Sequence, residues 1–290
     1  MRVIPLAADS LGVRSVATYV EAGSLRLLLD PGASLSPARF GLPPAPEEEE
    51  ALTRAMDRIE AYAVRAALVA VSHFHADHYR LEPRIFAGRR VWAKDPRRMT
   101  DAYQAIRGRG FWQTMARHAM LSPAEGAVVE AGDAVVRFSP PLPHGSEVSG
   151  FGFVVAATVD DGRRFVHAAD VQGPASAVVT AYLLRERPDL LYLSGPPTYL
   201  ESRVGRQTIE QGLAHLLRIV NETGCQVILD HYAVRDRRYR ERLAAVFETG
   251  RVVTAAEYLG YREECLEARR PALTGLKRCR AASSVPRYGR

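Results

Sequence analysis

Apolar residues recur along this chain at two spacings, and stretches of the two alternate. Short strand-like pieces come first: residues 3–6, 16–20 and 25–29 alternate or run apolar, the last ending at Asp30. A loop containing Pro31, Gly32, Pro37, Gly41, Pro43 and Pro44 interrupts the pattern. Pro46 then opens a predicted helix that runs to about residue 65. Proline suits the first helical position, where its missing N–H costs nothing, and the run Glu47 to Glu50 sets negative charge against the positive helix end. An apolar strand is predicted at 67–71, a second strand at 90–93 and a helix over 100–119.

The second half repeats the style. Strands are predicted at 134–138, 151–159 and 164–168, the last pair joined by an Asp161-Gly162 hairpin turn. A helix over 175–187 leads to a strand at 190–193. A helix over 207–221, stopped by Gly224, leads to a buried strand at 226–229 that ends at Asp230. A helix over 237–249 and a short strand at Val252 and Val253 follow. Strands mixed with helices in both halves predict an α/β sandwich, two mixed sheets face to face with helices outside. No tandem repeat or linker divides the chain, so residues 1–268 are expected to form one catalytic domain.

With 290 residues, 47% of them hydrophobic, the chain can fill one large core. It has no run of 18 apolar residues, and its first fifteen include Arg2, Asp9 and Arg14, so neither a membrane span nor a signal peptide is expected and a cytoplasmic location is. Cys225, Cys265 and Cys279 are odd in number and lack CxxC spacing, which suits ordinary reduced thiols. The net charge of +6 changes little, because it is local. Residues 269–290 hold seven basic residues and no acid, leaving 32 basic against 33 acidic elsewhere. That segment reads as a basic, flexible C-terminal tail, and the near-neutral body gives only weak support to a nucleic-acid partner. Arg107, Arg109 and Arg235-Asp236-Arg237-Arg238 can line a groove, although solvated helix surface accounts for them equally well.

The chemistry is concentrated in His73-Phe74-His75-Ala76-Asp77-His78, directly after the apolar strand at 67–71. Three imidazoles and a carboxylate within six residues are costly to bury together unless a cation organises them, and a divalent metal does so with its ordinary donors. A surface histidine cluster is the plain alternative; the acid at a fixed offset and the preceding buried strand favour the metal. His144, Asp170 and His231 each follow a predicted strand in the same way, and convergence of the strand ends on one rim would bring them to the cluster.

The order Asp30, His73-x-His75-x-Asp77-His78, His144, Asp170, His231 resembles the five-motif pattern of the metallo-β-lactamase superfamily. More narrowly, the chain resembles an uncharacterised family of such proteins common in archaea. The match rests on Asp30-Pro31-Gly32-Ala33, Gly41-Leu42-Pro43-Pro44, the 73–78 string, Asp170-Val171-Gln172-Gly173-Pro174 and Gly195-Pro196-Pro197-Thr198-Tyr199-Leu200, and it covers about residues 1–255. The resemblance implies that His73, His75 and His144 bind one metal ion, that Asp77, His78 and His231 bind a second, that Asp170 bridges them, and that Asp30 lies behind the ligands. It implies two divalent ions, zinc first, with manganese or iron compatible with the same donors. It implies a dinuclear hydrolase in which a metal-bridged hydroxide attacks an ester-type bond: phosphodiester, lactone or thioester. Asp77 or Asp170 would take a proton, and Tyr199 would serve the leaving group ahead of His167, Lys94 and His118. A small-molecule or phosphoester substrate is expected. A di-iron oxidative enzyme on the same ligands and a non-catalytic binding module are the alternatives. Trp92, Phe111 and Trp112 read as core or as cover for the mouth of the site.

Overall fold

The computed structural model describes residues 1–275. Six strands form the first sheet in chain order: β1 (Arg2–Pro5), β2 (Thr18–Ala22), β3 (Leu25–Leu29), β4 (Leu68–Val71), β5 (Arg90–Ala93) and β6 (Met120–Pro123). The next strands are β7 (Val128–Ala131), β8 (Ala134–Phe138), β9 (Leu142–Pro143), β10 (Phe153–Val154), β11 (Ala157–Asp160), β12 (Arg164–Ala169), β13 (Leu190–Ser194), β14 (Gln226–Asp230) and β15 (Val252–Val253). Seven of them make the second sheet, in the order β15-β14-β13-β12-β11-β8-β7, while β9 and β10 pair by themselves. In both sheets antiparallel hairpins lead into strands that pair in parallel: β3 to β6 in the first, β12 to β15 in the second.

Alternation along the strands builds the layers. Leu27, Leu29, Leu68 and Ala70 point between the sheets and meet Val136, Val159, Phe165, Tyr192 and Ile228 from the other side. Leu28, Val69 and Val71 point outward, where they pack with Ala51, Ala55 and Ile59 of the helix Pro46–Ala63. On the outer face of the second sheet, Leu191, Leu193 and Val227 pack with the helices Ala177–Glu186 and Arg206–Thr223. Strands covered on both faces must be apolar at every position, which is why β4 reads Leu-Val-Ala-Val with each residue buried. Burying a side chain such as Ile59 stabilises by roughly 1.5–3 kcal/mol. Trp92, Phe111 and Trp112 belong to this filling: Trp92 stacks on Phe138, Phe111 is fully buried, and the Trp112 indole donates to the Lys94 carbonyl. No helix among the described residues is long and apolar enough to cross a membrane.

Three expectations need correcting. The strand anticipated at 151–159 is two pieces, β10 and β11, because the chain leaves β9 before entering the second sheet. The helix anticipated at 237–249 is two short turns, Tyr239–Arg242 and Ala244–Phe247, separated at Leu243, whose φ of −112° is not helical. The boundary between residues 268 and 269 falls inside a helix, Leu266–Leu273. Arg270 on that helix is fully buried: it pairs with Glu48 at 2.7 and 2.8 Å and donates to the carbonyls of Ser36 and Leu42. The beginning of the anticipated tail is therefore part of the packed body, and residues 276–290, with Cys279, lie outside the described residues. Cys225 and Cys265 are free thiols.

Candidate metal centre

Asp30 and Ser72 stand where β3 and β4 end, and they organise the histidine string. The Asp30 carboxylate accepts from the Ser72 N–H at 2.7 Å, the Ser72 hydroxyl at 2.6 Å and His78 Nδ1 at 2.9 Å. Because the Ser72 hydroxyl gives its proton to Asp30, it can only accept from His73 Nδ1, 2.9 Å away. Both rings are thereby fixed with Nδ1 carrying a proton and Nε2 aimed inward, the nitrogen a metal takes. His231, after β14, is set the same way, with Nδ1 donating to Asp9 Oδ2 at 2.7 Å. His144 follows β9; its Nδ1 faces the Gln172 side chain at 3.5 Å.

Asp170, after β12, lies at the middle. Its Oδ2 is 3.3 Å from Nε2 of both His78 and His144 and 3.7 Å from that of His73, while Oδ1 is 3.3 Å from His231 Nε2. The donor atoms fall into two groups, His73, His75, His144 and Asp170, and Asp77, His78 and His231, each with all its atoms within 4.8 Å of one another. His78 Nε2, His144 Nε2 and both Asp170 oxygens are buried without a hydrogen-bond partner. A buried polar atom left unpaired costs about 1–3 kcal/mol, and native structures hold few. Four of them converging on one small volume, all nitrogen or carboxylate oxygen, fit a divalent cation.

The charges divide along the same line. Burial, helped by the neighbouring imidazoles, pushes His73 well below the ordinary range and His75 down to about 4, so both are neutral at neutral pH. Burial is the largest influence on His78 and His231 and lowers both, with Arg235 adding to it at His231. Asp170 together with Asp30 at His78, and Asp170 together with Asp9 at His231, overcome it; His78 rises well above its usual value and His231 to about 9. Burial opposes ionisation of Asp77 and Asp170, and the cationic neighbours overcome it, holding both carboxyls low. The backbone is unusual here as well: of seven non-glycine residues with positive φ among the described residues, Asp30, Ala169, Gln172 and His231 sit at these strand ends. Such conformations persist only where surrounding contacts fix them.

All seven expected ligands thus meet at one place, with Asp30 behind His78. Tyr199 is one residue removed: its hydroxyl is 3.4 Å from Arg235 Nη1, and Arg39 stacks on its ring at 4.4 Å. The weaker candidates lie elsewhere. His167 is buried against the Val16 carbonyl, Lys94 pairs with Glu125, and His118 is exposed. Tyr103 and Phe151, both about half exposed, edge the mouth, 6.4 Å from His75 and 5.5 Å from His144 between ring centres. A cavity of about 510 Å³ is lined by Arg54, Arg58, Tyr261 and Arg262 among others and by none of the donors.

Sequence reasoning missed Asp9 and Arg235. Asp9 is 222 residues from the histidine it holds. Its one local signal is a polar Asp9-Ser10 pair inside an apolar stretch, Leu6-Ala7-Ala8-Asp9-Ser10-Leu11. Arg235 belongs to the run read as groove lining, yet it turns inward and is 3% exposed, while Arg237 and Arg238 stay outside.

Searched against models of protein families, the chain matches none. A UPF0282 protein of Thermococcus gammatolerans is 40% identical, over 94% of this chain and 95% of its own length. Another, from Methanopyrus kandleri, is 37% identical over 95% of this chain and 99% of its own. Among solved structures, an isothiocyanate hydrolase from Delia radicum gut bacteria superposes with a TM-score of 0.51 at 13% identity, over 84% of this chain and 94% of that one. A possible metal-dependent hydrolase from Veillonella parvula gives 0.52 at 12% identity over the same shares, 84% and 94%. Zn²⁺-bound PqqB from Methylobacterium extorquens gives 0.50 at 12% identity, over 88% and 98%. At these identities the solved structures share the fold alone.

Proposed function

The chain belongs to the UPF0282 family and has the metallo-β-lactamase fold, and on that footing we propose that it is a metal-dependent hydrolase of ester-type bonds with a two-ion centre. The observation that carries this reading is the convergence of four buried, partnerless donor atoms from His78, His144 and Asp170. Hydrolases among the structures of like fold support it. His73, His75, His144 and Asp170 would hold one ion, and Asp77, His78, His231 and Asp170 the other. Zinc fits these donors, and manganese and iron fit them too. When bound, such ions polarise the scissile oxygen and supply a nucleophile from water at neutral pH.

The remaining work falls to the chain. Asp30, Ser72 and Asp9 hold the imidazoles by Nδ1 with Nε2 turned inward, so none has to reorient. Asp77 is the more exposed of the two central carboxylates, which supports it as the group that takes a proton from the attacking side. Tyr199 accepts from Arg235 and keeps its own proton free for a leaving group. Tyr103 and Phe151 offer apolar surface to the organic part of a small-molecule substrate. Phosphodiesters, lactones and thioesters are the proposed substrate classes.

The test is turnover of an aryl phosphodiester, a lactone and a thioester by purified protein before chelation, after it, and after zinc, manganese or iron is returned. Loss and metal-dependent recovery on one class supports the reading. Bound metal with no turnover on any class would leave a binding module, and two equivalents of iron with an oxygen-dependent reaction would replace hydrolysis by oxidation.

A further inference from the structure

The two donor groups differ in their surroundings, and the difference is Arg235. Among the described residues no arginine or lysine pairs with His73, His75, His144 or Asp170. The second group has a guanidinium against two of its three members. Arg235 Nη2 lies 2.9 and 3.1 Å from the two ring nitrogens of His231 and 3.5 Å from Asp77 Oδ2. Contact with both nitrogens at similar distance places it over the imidazole face, which leaves the Nε2 lone pair free in the ring plane. The arginine is fixed from behind: Nε donates to Asp9 Oδ1 at 2.7 Å, Nη2 contacts Asp9 Oδ2 at 3.3 Å, and the Tyr232 ring lies 4.8 Å from its central carbon.

An ion on His231 Nε2 would lie about 2 Å from that nitrogen. Since Nη2 is 3.1 Å from the same nitrogen, ion and guanidinium could be no more than about 5 Å apart. Two cations that close, in a site shielded from water, repel strongly, and only part of this is offset by Asp9, whose oxygens touch the far edge of the guanidinium. An ion at the first group has no such neighbour.

Building on the metal-centre reading, we infer that Arg235 makes this centre fill stepwise. The first group binds its ion tightly, and the second binds about 100-fold more weakly. While the second position lacks an ion, the guanidinium is a permanent positive charge beside Asp77 and Tyr199. At low metal supply the working form then holds one ion and one arginine.

Calorimetric titration of metal-free protein with zinc tests this. The expected result is one tight equivalent followed by a second about 100-fold weaker, with His231→Ala abolishing only the weak step. Arg235→Gln is expected to tighten the second step by about 10-fold or more and leave the first unchanged. Arg235→Lys keeps the charge and should keep the gap, which a merely structural guanidinium fork would not. Should Arg235→Gln fail to fold, Arg235→Met removes the charge with an apolar chain and leaves Asp9 behind His231, so it answers the same question. Equal affinities for both equivalents in the parent protein, or an unchanged second step in a folded charge-free variant, overturn the inference while leaving the metal centre intact. No zinc binding at all overturns the metal-centre reading, and this inference with it.

Discussion

Asp9→Ala is the perturbation with the best-defined expected size. The substitution removes three charged contacts at once: Arg235 Nε at 2.7 Å, Arg235 Nη2 at 3.3 Å and His231 Nδ1 at 2.7 Å. It leaves a guanidinium that is 3% exposed without its main counter-charge. Breaking a buried pair from one side costs about 3–5 kcal/mol. Asp77 and Tyr199, at 3.5 and 3.4 Å, still hold part of the arginine, so the lower end applies. For a chain of this size about 3 kcal/mol corresponds to a fall of roughly 6 °C in the melting temperature of the metal-free protein. Loss of the carboxylate behind His231 should also weaken metal binding in the second group by about 10–100-fold. Burial raises the Asp9 pKa, but Arg235 and His231 outweigh it and hold the carboxyl low. Its stabilisation is therefore present above the unfolded value near 3.8 and is lost as pH falls below it, so the two proteins should converge on acidification. Circular-dichroism melts across pH, with calorimetric zinc titration, read both effects. A variant melting within about 1 °C of the parent near neutral pH, with unchanged zinc affinity, would refute the reasoning.

His75→Ala should abolish the ion of the first group, and with it the thermal gain that zinc confers on the parent, about 2.7 kcal/mol at 100 times the dissociation constant. Retention of both ions by elemental analysis would contradict the assignment. Arg270→Ala strands the fully buried Glu48 carboxylate and should cost about 3–5 kcal/mol in urea denaturation, with part of it recovered when Glu48→Gln is added. Truncation after residue 268 should be at least as costly. Filling the first group should release almost no proton from His73 or His75 at pH 7, because both are already neutral. Filling the second should release roughly one proton each from His78 and His231, since both stay protonated in the metal-free protein. Affinity at the second group should therefore rise with pH through about 9, the value for His231, and calorimetry in buffers of different ionisation enthalpy counts the protons. In the metal-free protein the raised His231 value works the other way: its stabilisation is full below about 6.5 and fades as pH climbs through about 9.

The ligands were legible because each follows an apolar strand, and a strand end is a position that sequence marks. Leu68 to Val71 leads to His73, Arg164 to Ala169 to Asp170, and Gln226 to Asp230 to His231. The groups behind the ligands were hidden for the opposite reason. Asp9 lies on a three-residue turn far from His231 in the chain, and nothing in its neighbours shows which way it faces. Arg235 was masked by Arg237 and Arg238, since a basic run reads as solvated surface until the fold separates its members. The same applies to Arg270. Beside Arg269 and within a strongly basic end it looked like tail, and only Glu48, brought close by folding, makes it interior. Strands β6 and β7 went unread because they are partly exposed edge strands with little apolar contrast.

Each donor group takes members from both halves of the chain. His73 and His75 come from the loop after β4 of the first sheet and join His144, between β9 and β10, and Asp170, after β12 of the second; Asp77 and His78 join His231, after β14, across the same divide. An ion held there would act as a rivet through the seam, pinning the two leaves of the molecule at one edge while the apolar filling holds them elsewhere. Stripping the ions should then loosen that edge first, so amide exchange in the 73–78 and 144–152 loops would register the metal content of the protein sooner than any global melt.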